Sequence, residues 1–206
     1  MLPAKNNLLE KLMSLDRNKI QDLYPFKENY LDIDGLKYHY VDEGEGEAVV
    51  MVHGNPTWSF FYRDLIKKLS PNYRCIAVDH IGCGFSDKPQ DYAYTLENHI
   101  QNLTKLIEHL GLKKINLVVH DWGGAIGMGY ATRHLDNVNK ITVFNTAAFL
   151  SKNIPFRISL CKNAVFGKFI VRAFNAFAGP ATFMTTQTPL SPQVKEAFLM
   201  PYHNWE

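Results

Sequence analysis

Hydrophobic positions along this chain follow two periods, and the two alternate. From Tyr30 to Asp42 apolar and polar residues alternate about Asp34-Gly35, with Leu31 and Ile33 before the dipeptide and Leu36, Tyr38 and Tyr40 after it. A period of two broken by Asp-Gly predicts a β-hairpin with a type I′ turn. Ala48–Val52, Cys75–Val78, Ile115–Val119 and Ile141–Phe144 are instead short apolar runs. Such runs predict strands, the first three of them covered on both faces. Helical spacing fills the gaps. One helix is expected to bury Phe61, Leu65 and Leu69. A second opens at Thr95 as N-cap, carries Leu96, Ile100, Leu103, Ile107 and Leu110, and stops at Gly111 as C′. A third runs from Ala125 to His134. Strand and helix thus alternate from residue 47 to 144. This predicts an α/β fold with a mostly parallel, doubly wound sheet and right-handed crossovers. Ligands in such sheets bind beyond the carboxyl ends of the strands.

Three informative loops fall at those ends. His53-Gly54-Asn55-Pro56-Thr57 follows the first buried strand, and the glycine-rich Asp79–Pro89 turn follows the second. Val119-His120-Asp121-Trp122-Gly123-Gly124 follows the third. There a strand must turn at once into a helix, with two glycines allowing close backbone approach. That geometry is the nucleophile elbow of α/β-hydrolases, written G-x-S-x-G when the nucleophile is serine. Here a carboxylate, Asp121, holds the nucleophile position, and the helix N-terminus favours its negative charge. The plainer reading makes Asp121 only a helix N-cap.

Composition narrows the picture. A length of 206 residues is enough for one α/β domain with a well-buried core. The net charge of +2 leaves no footprint for nucleic acid. Cys75, Cys83 and Cys161 are an odd number without a pattern, which points to reduced thiols and a cytoplasmic protein. None has metal-ligand spacing with a histidine, so no metal is expected. No run of about 18 apolar residues predicts a membrane span. The N-terminus, with Leu8, Leu9, Glu10, Lys11 and Leu12, reads as an amphipathic helix and not a signal peptide.

After about Phe149 the character changes. Pro155 to Phe177 is rich in phenylalanine and carries Arg157, Lys162, Lys168 and Arg172. Ser191-Pro192 reads as an N-cap with proline at N1, opening a helix through Leu199. The expected division is therefore residues 1–149 as the α/β core and 150–206 as the beginning of a helical cap. The basic residues of the cap region can alternatively be read as a membrane-surface face.

With these motifs in place the sequence resembles the haloalkane dehalogenase family of α/β-hydrolases. The resemblance rests on His53-Gly54-Asn55-Pro56-Thr57-Trp58, on Asp79-x-x-Gly82-x-Gly84-x-Ser86-Asp87-Lys88-Pro89, and on His120-Asp121-Trp122-Gly123-Gly124. Asn145-Thr146-Ala147-Ala148-Phe149 and Ala181-Thr182-Phe183-Met184 look most like the third subfamily, which includes the β-lactone decarboxylases of bacterial olefin biosynthesis. The resemblance implies Asp121 as catalytic nucleophile. It implies Asn55 and Trp122 as side-chain donors to the leaving halide, and the backbone N–H groups of Asn55 and Trp122 as oxyanion hole. It implies a small apolar substrate and water, with no cofactor, and it says nothing of the oligomeric state. Asn145 lies where one subfamily places its catalytic acid, and an asparagine cannot serve.

One departure is large. The last two strands of the family's sheet have no counterpart here, and with them go the catalytic acid and the general-base histidine. His203 does not match that histidine. The expectation is a fragment, inactive and poorly soluble by itself, with an uncovered strand at Ile141–Phe144. Two alternative activities are a β-lactone decarboxylase, giving a long-chain alkene and CO2, and an epoxide hydrolase. A further alternative is a catalytically incomplete ligand-binding fragment. Among single residues, Trp122 also reads as core packing and Asn55 as a turn residue before proline. His53 and His120 read as scaffold, and Asp79 and Ser86 as braces of the Gly82–Gly84 turn. Trp58, Phe60, Phe61 and Phe149 read as core, or else as pocket lining.

Overall fold

A computed structural model of the chain describes residues 17–149 and 178–202. The expected amphipathic helix at Leu8–Leu12, the Pro155–Phe177 segment, Cys161 and His203 lie outside the described residues. The expected hairpin forms from β1 (Asn29–Ile33) and β2 (Leu36–Glu43). Asp34 at φ 56° and Gly35 at φ 86° give both central residues the positive φ of a type I′ turn. The apolar runs become β3 (Ala48–Val52), β4 (Arg74–Val78), β5 (Ile115–His120) and β6 (Val138–Phe144). They join in one six-stranded sheet of order β1-β2-β4-β3-β5-β6. β1, β2 and β4 pair antiparallel, while β4, β3, β5 and β6 run parallel.

Burial on both faces explains the continuous runs. Val50 and Val52 of β3, Ile76 and Val78 of β4, and Leu117 and Val119 of β5 point into one apolar cluster. Val49, Met51, Cys75, Ala77 and Val118 point into the other. The period of two survives, but each side of the sheet has its own core. Helix α1 (Arg63–Leu69) covers the second face; α2 (Leu96–His109) and α3 (Trp122–Arg133) cover the first. Thr95 caps α2 as expected, its side chain accepting from the Asn98 N–H, and Gly111 follows at φ 62°. Later in the chain come α4 (Ala178–Met184) and α5 (Pro192–Leu199), the latter capped by Ser191 through the Val194 N–H. Ala197 of α5 is buried in the second cluster, and Phe198 meets Phe60 edge-on at 5.0 Å between ring centroids. No helix among the described residues is long and apolar enough to cross a membrane.

Three expectations need correction. The segment after β3 begins as a 3-10 turn, Ser59–Tyr62, before it becomes α1. The tighter turn shifts the phase. Phe60, Tyr62 and Ile66 are therefore fully buried, whereas Phe61, Leu65 and Leu69 are only half-buried. α3 starts at Trp122, not Ala125, because close packing against β3 outweighs the poor helix propensity of Gly123 and Gly124. β6 begins at Val138 rather than Ile141; its pairing with β5 extends past the apolar run. Among the described residues β6 is an edge strand, with Val143 60% and Phe144 45% exposed.

The sheet order fixes where a site can form. From β3 the chain crosses to β4 on one side, then returns past β3 to β5 on the other. The connections diverge between β3 and β5, and in sheets of this kind ligands bind at the carboxyl ends of such a pair. The two loops at that point carry Asn55 and Asp121.

Candidate active site

Asp121 is the residue between β5 and α3. Its backbone sits at φ 50°, ψ −126°. A non-glycine residue in that region costs on the order of 1–3 kcal/mol, so the surroundings must hold it there. An ordinary N-cap has extended backbone, and its side chain accepts a hydrogen bond from its own helix. Asp121 does neither: its side chain makes no capping bond. Its Oδ1 accepts instead from the backbone N–H of Asn55, at 2.8 Å, across 66 residues of sequence. The cap-only reading of Asp121 is therefore wrong for this structure.

Glycines make the approach physically possible. A Cβ on Gly54 would overlap the Asp121 carboxylate, and one on Gly123 would overlap the Val52 carbonyl oxygen. A Cβ on Gly124 would overlap the Thr146 hydroxyl, which itself donates to the Asp121 carbonyl. The elbow is thus gripped from β3 on one side and from the end of β6 on the other. Trp122 opens α3, and its N–H belongs to the first turn, where helix N–H groups have no intrahelical acceptor. Its side chain is 48% exposed, so it is not core packing.

Asn55 occupies an exposed turn in which the Thr57 N–H donates to the Gly54 carbonyl at 3.0 Å, and the Asn55–Pro56 bond is cis. Asn55 is thus a turn residue before proline, as one reading expected, and the turn points its N–H at Asp121. Its side-chain Oδ1 lies 3.5 Å from the thiol of Cys83.

Behind the two loops is a buried polar layer. Asp79 is fully buried and accepts from the Ser59 N–H at 2.6 Å and the Phe85 N–H at 2.9 Å; its Oδ2 lies 2.8 Å from His39 Nδ1. Burial by itself would raise its pKa. The His39 partner and the hydrogen bonds outweigh burial and hold the carboxyl at about 2. Ser86 Oγ donates to the Asp79 carbonyl at 2.6 Å and accepts from the His39 N–H at 2.8 Å. Asp79 and Ser86 therefore brace the turn, as expected. The His39 partnership was not foreseen: a histidine within an alternating strand carries no local signal of a contact 40 residues away.

His53 is also scaffold. Its Nδ1–H donates to the Gly54 carbonyl at 2.9 Å and its Nε2 accepts from the His80 N–H at 3.1 Å. With both ring nitrogens engaged it has no lone pair to offer a water at Asp121. Burial lowers its pKa and that of His80, keeping both neutral. His120 stacks on Phe61, with ring centroids 4.3 Å apart. Trp58 and Phe60 are core, whereas Phe149 is 76% exposed.

Comparison with known proteins agrees with this architecture. The family model described as the alpha/beta hydrolase fold matches residues 47–163. A cis-3-alkyl-4-alkyloxetan-2-one decarboxylase of Shewanella oneidensis is 46% identical over 193 residues, 90% of this chain and 61% of the relative. Haloalkane dehalogenase 2 of Mycobacterium bovis is 40% identical over 134 residues, 65% of this chain and 47% of the relative. The crystal structure of the haloalkane dehalogenase DatA from Agrobacterium tumefaciens superposes with a TM-score of 0.78 at 31% identity, over 87% of this chain and 63% of that one. The chain thus spans less than two thirds of each of these proteins. Its matched segment contains the sheet from β3 onward, both site loops and the elbow, and by that match the chain belongs to the α/β-hydrolase fold family.

Proposed function

We propose that Asp121 is a carboxylate nucleophile that displaces halide from an alkyl halide, in the manner of a haloalkane dehalogenase. The observation that carries this reading is the Asn55 N–H bond to Asp121 Oδ1 at the elbow. It occupies one carboxylate oxygen and leaves Oδ2 to attack. In the first step Oδ2 bonds to a saturated carbon in line as the carbon–halogen bond breaks, and the bonding pair leaves with the halide. In this reading the side-chain N–H groups of Asn55 and Trp122 donate to that anion as its charge develops. Oδ1 becomes the carbonyl oxygen of the alkyl ester. When water attacks Cγ, negative charge gathers on Oδ1, where the N–H groups of Asn55 and Trp122 serve as oxyanion hole. The base for that water and its acid partner are assigned to residues outside this chain, and residues 150–206 to a cap over the pocket. The substrate is small and apolar, no cofactor takes part, and the location is cytoplasmic.

A second reading, opening of a β-lactone with loss of CO2 and formation of an alkene, has a specific observation behind it. The decarboxylase relative matches 90% of this chain at 46% identity, against 65% at 40% for the dehalogenase relative. Both reactions use the same aspartate in an apolar pocket. The test is to incubate the complete gene product with 1-bromobutane and, separately, with a long-chain cis-3-alkyl-4-alkyloxetan-2-one. Bromide release without alkene supports dehalogenation; alkene without bromide supports decarboxylation. Neither product would sink both.

A further inference from the structure

Cys83 is absent from the mechanism above, yet its thiol touches one of the residues assigned to it. It sits between Gly82 at φ 94° and Gly84 at φ 52°, in the turn after β4. That turn is closed by the Cys83 N–H to the His80 carbonyl at 2.8 Å and the Ser86 N–H to the Cys83 carbonyl at 3.1 Å. The side chain is 7% exposed, and its Sγ lies 3.5 Å from Asn55 Oδ1. The Tyr202 hydroxyl donates to the Thr57 carbonyl at 3.4 Å, in the same loop as Asn55. Burial pushes the Cys83 thiol up to about 11, so it keeps its proton at neutral pH. It is therefore an S–H donor and not a thiolate nucleophile.

The chemistry of the amide gives this contact a consequence. An asparagine side chain has an acceptor end and a donor end, related by a half-turn about its last bond. Only the NH2 end can stabilise a departing anion; the oxygen end would repel it. Asn55 is exposed on its own loop, and among the described residues Cys83 is the one that hydrogen-bonds its side chain. A donor at Cys83 holds Oδ1 on the turn side and commits Nδ2 to the pocket side. A thiol there can satisfy only the acceptor end well, because sulfur is a weak acceptor.

We infer that Cys83 is a positioning residue that sets the orientation of the Asn55 amide, so that Nδ2 faces the leaving anion. The inference rests on the assignment of Asn55 as leaving-group donor. The turn after β4 thereby acts on chemistry at β5 through a loop that follows β3.

The test uses the complete gene product, with sodium bromide as probe. Bromide affinity is read by quenching of tryptophan fluorescence, and kcat and KM are measured with 1-bromobutane. Cys83→Ala and Cys83→Val remove the donor, Val keeping most of the buried volume; Cys83→Ser restores a donor. Expected is a three- to tenfold weakening of bromide binding and a similar fall in kcat for Ala and Val, about the worth of one hydrogen bond, with Ser near wild type. In an Asn55→Ala background the Cys83→Val change is expected to have no further effect. Should Cys83→Ala not fold, the Ser and Val variants decide the matter. Wild-type behaviour of Cys83→Val, failure of Ser to rescue, or a full-sized Val effect in the Asn55→Ala background each overturns the inference. Asn55→Ala and Asp121→Asn separate it from the reading beneath it. If both keep wild-type turnover, that reading falls and takes this inference with it. If both lose turnover while Cys83→Val does not, this inference alone falls.

Discussion

The contact between α3 and the end of β3 gives a prediction whose sign is set by which of two effects is larger. Gly123 is buried in the first turn of α3. Helix propensity alone says that alanine there should stabilise by about 0.8–1.0 kcal/mol. An ideal Cβ at this position overlaps the Val52 carbonyl oxygen and lies 2.6 Å from its carbonyl carbon and 2.7 Å from the His53 carbonyl oxygen. These are backbone atoms, and Val52 is paired in register with Val119 of β5. No side-chain rotation relieves the overlap; the strand end or the helix must move. Overpacking of this kind costs roughly 1–3 kcal/mol, and a rigid backbone neighbour puts it toward the upper end. Gly123→Ala should therefore destabilise by about 1–2 kcal/mol net. It should also lengthen the 2.8 Å bond from the Asn55 N–H to Asp121, so turnover falls with stability. Urea unfolding followed by circular dichroism, with m unchanged, measures the difference. A Gly123→Ala variant as stable as wild type would show that the close approach does not shape the elbow.

Further predictions concern the nucleophile, the buried polar layer and the sheet edge. Asp121→Ala should lower turnover by on the order of 10⁴-fold or more, and intact-mass analysis of the quenched wild-type enzyme should find an ester on Asp121; full-speed turnover by the alanine variant refutes the mechanism. The pKa of Asp79 is depressed in the fold, so its contribution to stability is present above the unfolded carboxyl value of 3.8 and is lost as pH falls toward about 2. The loss is about 2 kcal/mol, and urea midpoints measured from pH 5 to pH 2 should flatten in Asp79→Asn. The pKa values of His53, His80 and His99 are also depressed by burial, His99 to about 4. For a base this means stability present above the unfolded value near 6.5 and lost as pH falls below it. Thermal midpoints should drop between pH 6.5 and 4, and His99→Gln should lessen the drop. Val143→Lys, on the exposed edge strand, should reduce light scattering of this 206-residue chain at equal concentration, because a charge on an open edge opposes strand addition. Unchanged scattering would mean that aggregation starts elsewhere.

Local physics was legible in the sequence. Asp34-Gly35 specified its turn because few residue pairs accept positive φ twice in succession. Thr95 and Ser191 specified helix starts because their hydroxyls satisfy N–H groups three residues on. β3, β4 and β5 were legible because burial on two faces demands an unbroken apolar run, and the loops at their carboxyl ends because parallel strands end on the same edge. Where periodicity was read without tertiary context it slipped: the 3-10 turn at Ser59 displaced the buried face of α1, and packing of Gly123 against β3 began α3 three residues early.

Tertiary structure alone decided the rest. No period in the sequence says that β4 lies on one side of β3 and β5 on the other, yet that choice brings the Asn55 loop beside Asp121. The Asn55 N–H to Asp121 bond spans 66 residues, the His39–Asp79 contact 40 and the Cys83–Asn55 contact 28. Each joins atoms whose nearness comes from sheet order and loop direction. Sequence carries the types of those residues, because chemistry depends on type. Their distances and orientations arise only when the sheet closes and the loops are pressed together at its edge.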